Sequence, residues 1–202
     1  MEEIVKDGRQ TPPRQRILSA ATRLFYRHGI RAIGVEAIAE AACTNKMTLY
    51  RHFASKEALV AEYLREVAQA ADRCWERLAE ALPGDPRAQL VAWLEEMARH
   101  LVVPDGRGCA LANAAIEIPE KDHPARRVIE EYKRAQRGHL IRLAEQAGLS
   151  EPEVLADELH LLLEGARVTA QSVGTDGLVE RLLYMGKAMV AAHGADGARQ
   201  RN

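Results

Sequence analysis

The sequence predicts an all-α protein of about nine helices. Apolar residues recur at intervals of three and four along most of the chain, which is the period of a helix. Proline and glycine clusters, as at 83–86 and 105–108, divide this pattern into segments of helical length. No segment reads convincingly as a strand. With 202 residues and 47% hydrophobic content, the chain can bury a core in one or two domains.

Three helices are predicted in the amino-terminal part of the chain. The first begins at Thr11-Pro12-Pro13, a helix-start signal, and ends at Gly29. The second begins just after Gly34, because apolar residues then recur on one helix face. The third begins after Asn45, whose side chain can accept a hydrogen bond from backbone N–H groups near Thr48. Two short helices joined by a four-residue turn are typical of a helix-turn-helix.

Six further helices are predicted after residue 54. Ser55 is expected to cap a long helix that ends near Leu82 and is long enough to link two regions. The later helices are expected between the break at 83–86 and Pro104, from about Cys109 to Ile118, between Pro124 and Gly148, after Pro152, and from Asp176. The Gly-, Ala- and Arg-rich tail is expected to be frayed. The predicted domains are therefore 1–56, a helix-turn-helix domain, and 57–193, a second helical domain, with 194–202 as the tail.

Charge is distributed unevenly between these two parts. The net charge of the chain is −1. Residues 1–56 carry ten Lys or Arg against five Asp or Glu, giving +5, whereas residues 57–202 carry eighteen against twenty-four, giving −6. A basic head on an acidic body favours phosphate contact at one end of the molecule only.

The cysteines and the hydropathy pattern point to a reduced, intracellular protein. Cys43, Cys74 and Cys109 are odd in number and lack the paired spacing of zinc or redox motifs. No apolar run approaches the ~18 residues that a membrane span requires, and the polar amino terminus does not resemble a signal peptide. We therefore expect a cytoplasmic location, no contact with membranes, and no metal or other cofactor.

The third helix carries the residues suited to contact DNA. Leu49 and Phe53 lie four residues apart and are expected to face the core. The polar and basic side chains between them are left for solvent or a partner, on a helix of about two turns that fits a major groove ~12 Å wide. These outward-facing residues are Lys46, Met47, Thr48, Tyr50, Arg51 and His52.

The segment Thr48-Leu49-Tyr50-Arg51-His52-Phe53-Ala54-Ser55-Lys56 resembles the signature of the TetR family of bacterial transcriptional repressors. The resemblance covers roughly the first third of the chain. It implies that Lys46, Met47 and Arg51 lie near base edges, and the chemistry agrees, because Arg or Lys can read guanine and Met can contact a thymine methyl. It also implies phosphate contacts, and the residues assigned to these contacts or to the turn beside them are Thr44, Thr48, Tyr50, His52 and Lys56. The alternative for Tyr50 and His52 is core packing and a local cap.

Three positions depart from the family pattern. Cys43 occupies a turn position where the family commonly has Gly, Gly34 replaces a Ser or Thr cap, and Met47 replaces a small residue. A positive φ at Cys43 would be strained, because the left-handed conformation is unfavourable for a residue with a Cβ. Cys43 is interpreted either as a small half-buried filler or as a redox switch in the turn.

A single reading helix buries too little surface for tight specific binding, so we predict a homodimer on paired half-sites of double-stranded operator DNA. The last two helices are expected to form the interface as a four-helix bundle, because small residues there allow close approach and an apolar stripe follows. The expected interface residues are Gly165, Ala166, Ala170, Leu178, Leu182, Met185 and Met189. The alternative is that these residues only close the core of the monomer.

The resemblance also implies that the second domain encloses a small-molecule effector, whose binding the long helix transmits to the DNA-binding domain. The candidate pocket residues are large apolar groups or isolated polar groups expected to point inward: Trp75, Trp93, Met97, His100, Cys109, Asn113, Tyr132, Arg167 and Gln171. Arg167 is the most informative, because a cation on an apolar helix needs a partner, which is either an acidic ligand, Glu164 or a group on a neighbouring helix.

Two other functions remain open at this stage. Asp157, His160 and Glu164 lie on one helix with spacings that could bind a metal ion, as in a helical metalloenzyme, but no matching second motif occurs. No nucleophile motif or phosphate loop is present, so we do not expect an enzyme. The same fold could also respond to a protein partner or to cysteine oxidation. The sequence predicts neither the effector, the operator, the regulated genes nor the sign of control.

Overall fold

The computed structural model describes residues 11–103 and 106–199, with side chains described as far as residue 194 at the carboxyl end. Within these ranges the chain forms nine helices and no strand, as predicted. The helices are α1 (Pro13–His28), α2 (Val35–Ala41), α3 (Lys46–His52), α4 (Lys56–Ala81), α5 (Pro86–Leu101), α6 (Ala110–Glu117), α7 (Pro124–Gln146), α8 (Pro152–Val173) and α9 (Leu178–Arg199).

The helix boundaries follow local signals in the sequence. Pro stands in the first turn of α1, α5 and α8, where the missing N–H costs nothing. The side-chain oxygens of Asp85 and Ser55 accept from the N–H groups of Ala88 and Ala58, at 2.9 and 3.1 Å, and so cap α5 and α4. Gly29 ends α1 with φ +88°. The predicted starts at Thr11–Pro13 and Ser55 are thereby confirmed.

The chain divides into two compact units. The first comprises the chain as far as Gln69 together with Ala110–Glu130, and the second comprises Ala70–Cys109 and the chain from Glu131 onward. Helices α4 and α7 each pass from one unit into the other. The first unit thus includes α6, which the predicted boundary at residue 56 assigns to the second domain; that boundary itself stays a prediction.

The core of the first unit is built from one face of each of its short helices. The buried side chains of α1 include Ile17, Leu18 and Phe25. Ile38 of α2 and Leu49 of α3 are fully buried, as the helical periodicity predicts. The Phe25 ring lies 5.7 Å from the ring of Tyr63 on α4. Burial of one face of α2 and α3 fixes which side of α3 remains outside.

The core of the second unit is a cluster of leucines and alanines contributed by α5, α7, α8 and α9. Its fully buried members include Leu90, Leu94, Leu140, Leu155 and Leu159. At the carboxyl end, α9 continues to Arg199, beyond the point at which a frayed tail is predicted, while residues 200–202 lie outside the described part of the chain.

His193 fastens α9 to the beginning of α8. Its backbone oxygen accepts from both the N–H and the hydroxyl of Ser150, each at 2.9 Å. Its Nδ1 lies 2.6 Å from the Ser150 carbonyl oxygen, and its Nε2 lies 3.2 Å from a carboxylate oxygen of Glu158. These hydrogen bonds join residues 43 positions apart and add a polar contact to the apolar core of the second unit.

Candidate nucleic-acid interface

The turn between α2 and α3 contains a cysteine whose backbone is in the left-handed conformation. Cys43 has φ +50°, the conformation that would be strained for a residue with a Cβ, and its N–H donates to the Glu40 carbonyl at 2.9 Å. The next N–H, of Thr44, donates to the Ala39 carbonyl at 2.9 Å. Cys43 is exposed, so the interpretation as a half-buried filler is wrong: the turn points its side chain away from the core. Its role as a redox switch stays a prediction.

The start of α3 is fixed by the predicted cap. The Asn45 side-chain oxygen accepts from the N–H of Thr48 at 2.9 Å. Leu49 and Phe53 are both buried, which confirms the inward face of this helix. A helix held by its cap and by two buried side chains has a defined rotation about its axis, so the direction of its outward residues is also defined.

The predicted contact residues divide into an exposed group and a half-buried group. Met47 is 85% exposed, so its apolar side chain is available to contact a partner. Lys46, Tyr50 and Arg51 are exposed beside it, whereas Thr44, Thr48, His52 and Lys56 are half-buried. We refer to the exposed set Lys46, Met47, Tyr50 and Arg51 as the reading face.

Lys46 forms an ion pair with Glu36 on α2, with Nζ 2.6 Å from Oε1. The hydrogen bond from Lys46 lowers the pKa of Glu36, and the same contact raises the pKa of Lys46. Both side chains are exposed, so water and salt screen the pair and it contributes little to stability. The pair matters more for DNA contact, because the Glu36 carboxylate reduces the positive charge of the reading face.

Two predicted phosphate ligands have partners or surroundings within the protein. Lys56 Nζ donates to the Ile30 carbonyl oxygen at 2.7 Å and lies 6.0 Å from the centre of the Phe25 ring. The Nε2 atom of His52 is buried and has no hydrogen-bond partner among the described residues. Lys56 thus supports the loop after α1, while phosphate contacts by either residue stay a prediction.

Glu117, at the end of α6, is a functional candidate that the sequence analysis did not select. Its Oε2 accepts from the N–H of Ile30 at 2.6 Å and from the N–H of Arg31 at 3.1 Å. These groups belong to the loop between α1 and α2. The partners lie 86 and 87 positions apart in the chain, and no periodicity, cap or spacing rule signals such a contact.

In the second unit, the two predicted pocket tryptophans stack on each other. The ring centres of Trp75 and Trp93 lie 5.5 Å apart with planes 10° from parallel, and His139 stacks on Trp75 at 5.0 Å. Trp93 is only 1% exposed. Both tryptophans therefore pack in or against the core, which is the arrangement that best buries two large rings. Burial also lowers the pKa of His139.

Four other predicted pocket residues lie near a buried charge cluster. Arg167 donates to Glu164 Oε1 at 2.5 Å, and Lys133 donates to the same oxygen at 2.7 Å. Burial opposes the ionised form of Glu164, but the hydrogen bond from Lys133 and the charge of Arg167 outweigh it and hold the pKa of this carboxyl below its ordinary value. We call Lys133, Glu164 and Arg167 the charge cluster. Arg167 also contacts the Met97 sulfur at 3.8 Å, and its charge interacts with Tyr132 and Cys109.

The remaining predicted pocket residues are His100, Asn113 and Gln171. His100 is exposed, with Nε2 3.9 Å from a Glu96 oxygen. Asn113 lies on α6 and so belongs to the first unit. Gln171 is exposed and donates to the Arg107 carbonyl at 2.7 Å, which ties α8 to the loop that precedes α6. Sequence periodicity gave the correct helices but could not assign each side chain to the same side of the fold.

The predicted dimer residues also divide. Ala166 and Leu182 are buried, the latter 2% exposed, and Leu178 and Met189 pack against the same core. These contacts fit the alternative in which the four residues close the core of the monomer, and their interface role stays a prediction. Gly165 and Met185 are exposed, and Ala170 is half-buried. Around them lie large apolar side chains that were not selected, with Leu161 70% and Tyr184 77% exposed, together with Val168.

The metal alternative finds no support in the charges around its ligands. Asp157 pairs with Arg137 at 2.6 Å, and Glu164 lies between Lys133 and Arg167. In the described part of the chain, no three His, Cys, Asp or Glu side chains come close enough together to hold a metal ion. Over the same residues, no helix combines the length and apolar character needed to cross a membrane.

Comparison with known proteins assigns both parts of the chain. Residues 17–63 match the family model for bacterial regulatory proteins of the TetR family, and residues 85–186 match the model of the SbtR-like transcriptional regulator C-terminal domain. The transcriptional repressor DhaR from Mycobacterium sp. (strain GP1) is 27% identical over 164 residues, which cover 78% of this chain and 81% of DhaR.

Two solved structures extend the similarity over the whole fold. A TetR-family transcriptional regulator from Streptomyces coelicolor superposes with a TM-score of 0.84 at 25% identity, covering 90% of this chain and 95% of that one. A TetR-type regulator from Streptomyces avermitilis is 33% identical, with a TM-score of 0.75 and coverage of 91% and 98%. Regulators of this family bind DNA and act as dimers. The helix-turn-helix, the helical body and these relatives together show that the chain belongs to the TetR family of DNA-binding transcriptional regulators.

Proposed function

We propose that the reading face recognises operator DNA in the major groove. Arg51 and Lys46 would donate to guanine O6 and N7, and Met47 would contact a thymine methyl. The half-buried Thr44, Thr48 and His52, with Tyr50, would contact phosphates, which position the helix without reading sequence. The observation on which this proposal depends most is the 85% exposure of Met47 beside two cations, on a helix whose opposite face is buried.

Selection of DNA by the purified protein tests this proposal. A random-sequence duplex library, selected at low ionic strength, is expected to yield a palindrome, since a twofold dimer presents two equivalent reading helices. Arg51→Ala should weaken binding to that palindrome by about ten- to a hundredfold and relax specificity at one base pair of each half-site. Arg73→Ala, which removes an exposed cation from α4, is the matched control and should change affinity little. Absence of an enriched palindrome would remove the proposal.

We propose further that the homodimer forms through an exposed apolar face of α8 and α9. Leu161, Gly165 and Val168 recur at intervals of four and three on α8, so they lie on one side of that helix. Tyr184 and Met185 are exposed on α9. These five residues replace the buried set that the sequence suggested, and Gly165 retains its predicted role of allowing close approach of helices.

Sedimentation measures this interface directly. Val168→Glu places a charge in the proposed contact and should shift the protein to a monomer at micromolar concentration. Ile116→Glu is the matched control, because Ile116 is 79% exposed on α6, outside the proposed face, and should leave the dimer intact. Equal sedimentation of Val168→Glu and the unmodified protein would exclude this face as the interface.

We propose that a small-molecule effector binds in the second unit near Tyr132, Cys109 and Arg167 and releases the operator. The charge cluster contains two cations and one carboxylate, so an effector with an anionic group would balance its charge. Burial raises the pKa of Tyr132, which keeps its phenol a neutral hydrogen-bond donor. We propose that the protein is a repressor, the role named for the similar DhaR, and that it acts in the cytoplasm, where bacterial DNA lies.

Fluorescence of the two tryptophans can detect such an effector, because Trp75 and Trp93 both lie in the second unit. We expect some members of a panel of small aromatic carboxylates to change this fluorescence and to lower operator affinity, whereas the matched amides should not. Arg167→Ala should abolish both responses while leaving the dimer intact. Effector responses that persist in Arg167→Ala would exclude a contact with this residue.

A further inference from the structure

The loop between α1 and α2 is held from two sides by charged side chains of other helices. Glu117 on α6 accepts from the N–H groups of Ile30 and Arg31, at 2.6 and 3.1 Å. Lys56, in the first turn of α4, donates to the Ile30 carbonyl at 2.7 Å. Hydrogen bonds to ionised groups are roughly twice as strong as neutral ones. Both ends of the Ile30 backbone are thus fixed by a charge-assisted bond.

The backbone conformation at Gly29 makes the approach of Glu117 possible. Gly29 has φ +88°, a region that residues with a side chain rarely adopt. A Cβ at this position would lie 3.0 Å from Glu117 Oε2 and 3.1 Å from Oε1, closer than ordinary contacts allow. The absence of a side chain at Gly29 therefore leaves room for the Glu117 carboxylate to reach the loop N–H groups.

The end of α6 that carries Glu117 is itself fixed. Arg126 of α7 donates to the Ala115 carbonyl at 3.0 Å, and Ile118, the residue after Glu117, is buried. Glu120 makes a useful contrast. It pairs with the Arg31 side chain at 3.3 Å, but both side chains are exposed and the contact involves no backbone group. Glu117 is therefore a fixed anchor for the loop, whereas Glu120 is an ordinary surface partner.

We propose that Glu117 is a positioning residue for operator binding: it fixes the orientation of α1, α2 and α3 relative to α6. Without it, α1–α3 would be held to the rest of the first unit by the covalent junction with α4, by the Lys56 contact, by apolar packing and by two ion pairs with exposed arginines, Arg14–Glu62 and Arg31–Glu120. In a dimer, the orientation of α1–α3 in each subunit sets the distance between the two α3 helices. This distance must match half-sites that repeat every ~34 Å. The inference rests on the proposed dimeric recognition of a palindrome.

Two DNA probes separate positioning from folding of the head. One is the selected palindrome, prepared also with one or two base pairs added to or removed from its centre. The other is a duplex with a single half-site, which one head can bind alone. For Glu117→Ala we expect at least a tenfold loss on the palindrome, a change of less than twofold on the half-site, and a weaker preference for one spacing. Glu120→Ala is the matched control and should resemble the unmodified protein on both probes.

Amide hydrogen exchange tests the Glu117 contact without DNA. The amides of Ile30 and Arg31 should exchange at least tenfold faster in Glu117→Ala and at the unmodified rate in Glu120→Ala. If Glu117→Ala fails to fold, Glu117→Gln keeps a neutral acceptor and should show a smaller loss in the same pattern. Equal losses of affinity on the palindrome and the half-site would show that Glu117 acts only in folding, which contradicts a positioning role. Unchanged affinity of Glu117→Ala for the palindrome would also overturn the proposal. Absence of any palindrome would instead count against the proposed function.

Discussion

The reading face and the charge cluster use similar residues in opposite surroundings. In the head, Lys46 and Glu36 form an ion pair in which both side chains are exposed. In the body, Glu164 holds Lys133 and Arg167, and the Arg167 side chain is only 12% exposed. Water can replace either partner in the first pair but not in the second. The Lys46–Glu36 pair can therefore open for a partner at little cost, whereas loss of Glu164 leaves two cations of the charge cluster without their common partner.

The largest effect is expected from removing the carboxylate of the charge cluster. Glu164→Ala leaves Lys133 and Arg167 partly buried without their common partner, which should lower the free energy of unfolding by about 3 kcal/mol. Chemical denaturation monitored by circular dichroism measures this change. Glu36→Ala is the control from the head and should change the unfolding midpoint little. Similar losses in the two variants would break the distinction between the regions.

A smaller effect is expected on how the free energy of unfolding changes at acidic pH. The pKa of Glu164 lies below its ordinary value of 4.5, so the unfolded chain binds its proton first as the pH falls. The stabilisation from ionised Glu164 is complete above that ordinary value and is lost as the pH falls through the lower pKa of the folded state. The difference in unfolding free energy between the unmodified protein and Glu164→Gln should therefore narrow between pH 5 and pH 3. A difference that widens on acidification would contradict this assignment.

The left-handed turn should respond to glycine in the opposite direction from a helix. Cys43 has φ +50°, so Cys43→Gly should raise the free energy of unfolding by about 0.5–1 kcal/mol. Ala41→Gly, two residues earlier in helical conformation, should lower it by a similar amount. Thermal unfolding of the two variants checks the signs. A lower free energy of unfolding in Cys43→Gly would contradict strain at this position.

The smallest effect concerns the exposed pair. Glu36→Gln frees Lys46 and removes a negative charge near the reading face, so operator affinity should rise about two- to fivefold at low salt. Fluorescence anisotropy over a salt series measures it, and the gain should disappear as salt increases. Glu40→Gln, an exposed carboxylate on the same helix, is the control and should give a smaller gain. Unchanged affinity in Glu36→Gln would show that the pair opens at no cost when DNA binds.

The head could be predicted closely because its determinants are local. The Asn45 cap acts over three residues, and the inward face of α3 follows from the four-residue spacing of Leu49 and Phe53. Each of these inferences needs only neighbours in the chain, so the first three helices and the exposed reading face agree with the sequence analysis.

The body could be predicted only as far as its helices. Helices α8 and α9 each carry more than one apolar stripe, so periodicity did not distinguish Leu182, which closes the core, from Tyr184, which is exposed. The stack of Trp75, Trp93 and His139 joins residues from three helices, and no spacing rule relates them. Arg167 is the intermediate case, because its partner Glu164 lies three residues away and is one of the three partners that the sequence suggests.

The sequence by itself determined the all-helical class, most helix boundaries, the helix-turn-helix and the side of α3 that faces outward. These depend on backbone capping and on side-chain periodicity, which act within a few residues. Only the tertiary structure decided which apolar stripe closes the core, which charges in the body are paired, and that Glu117 anchors a loop 86 residues earlier in the chain. Such contacts depend on how helices distant in sequence pack together, and the period of a single helix does not contain that information.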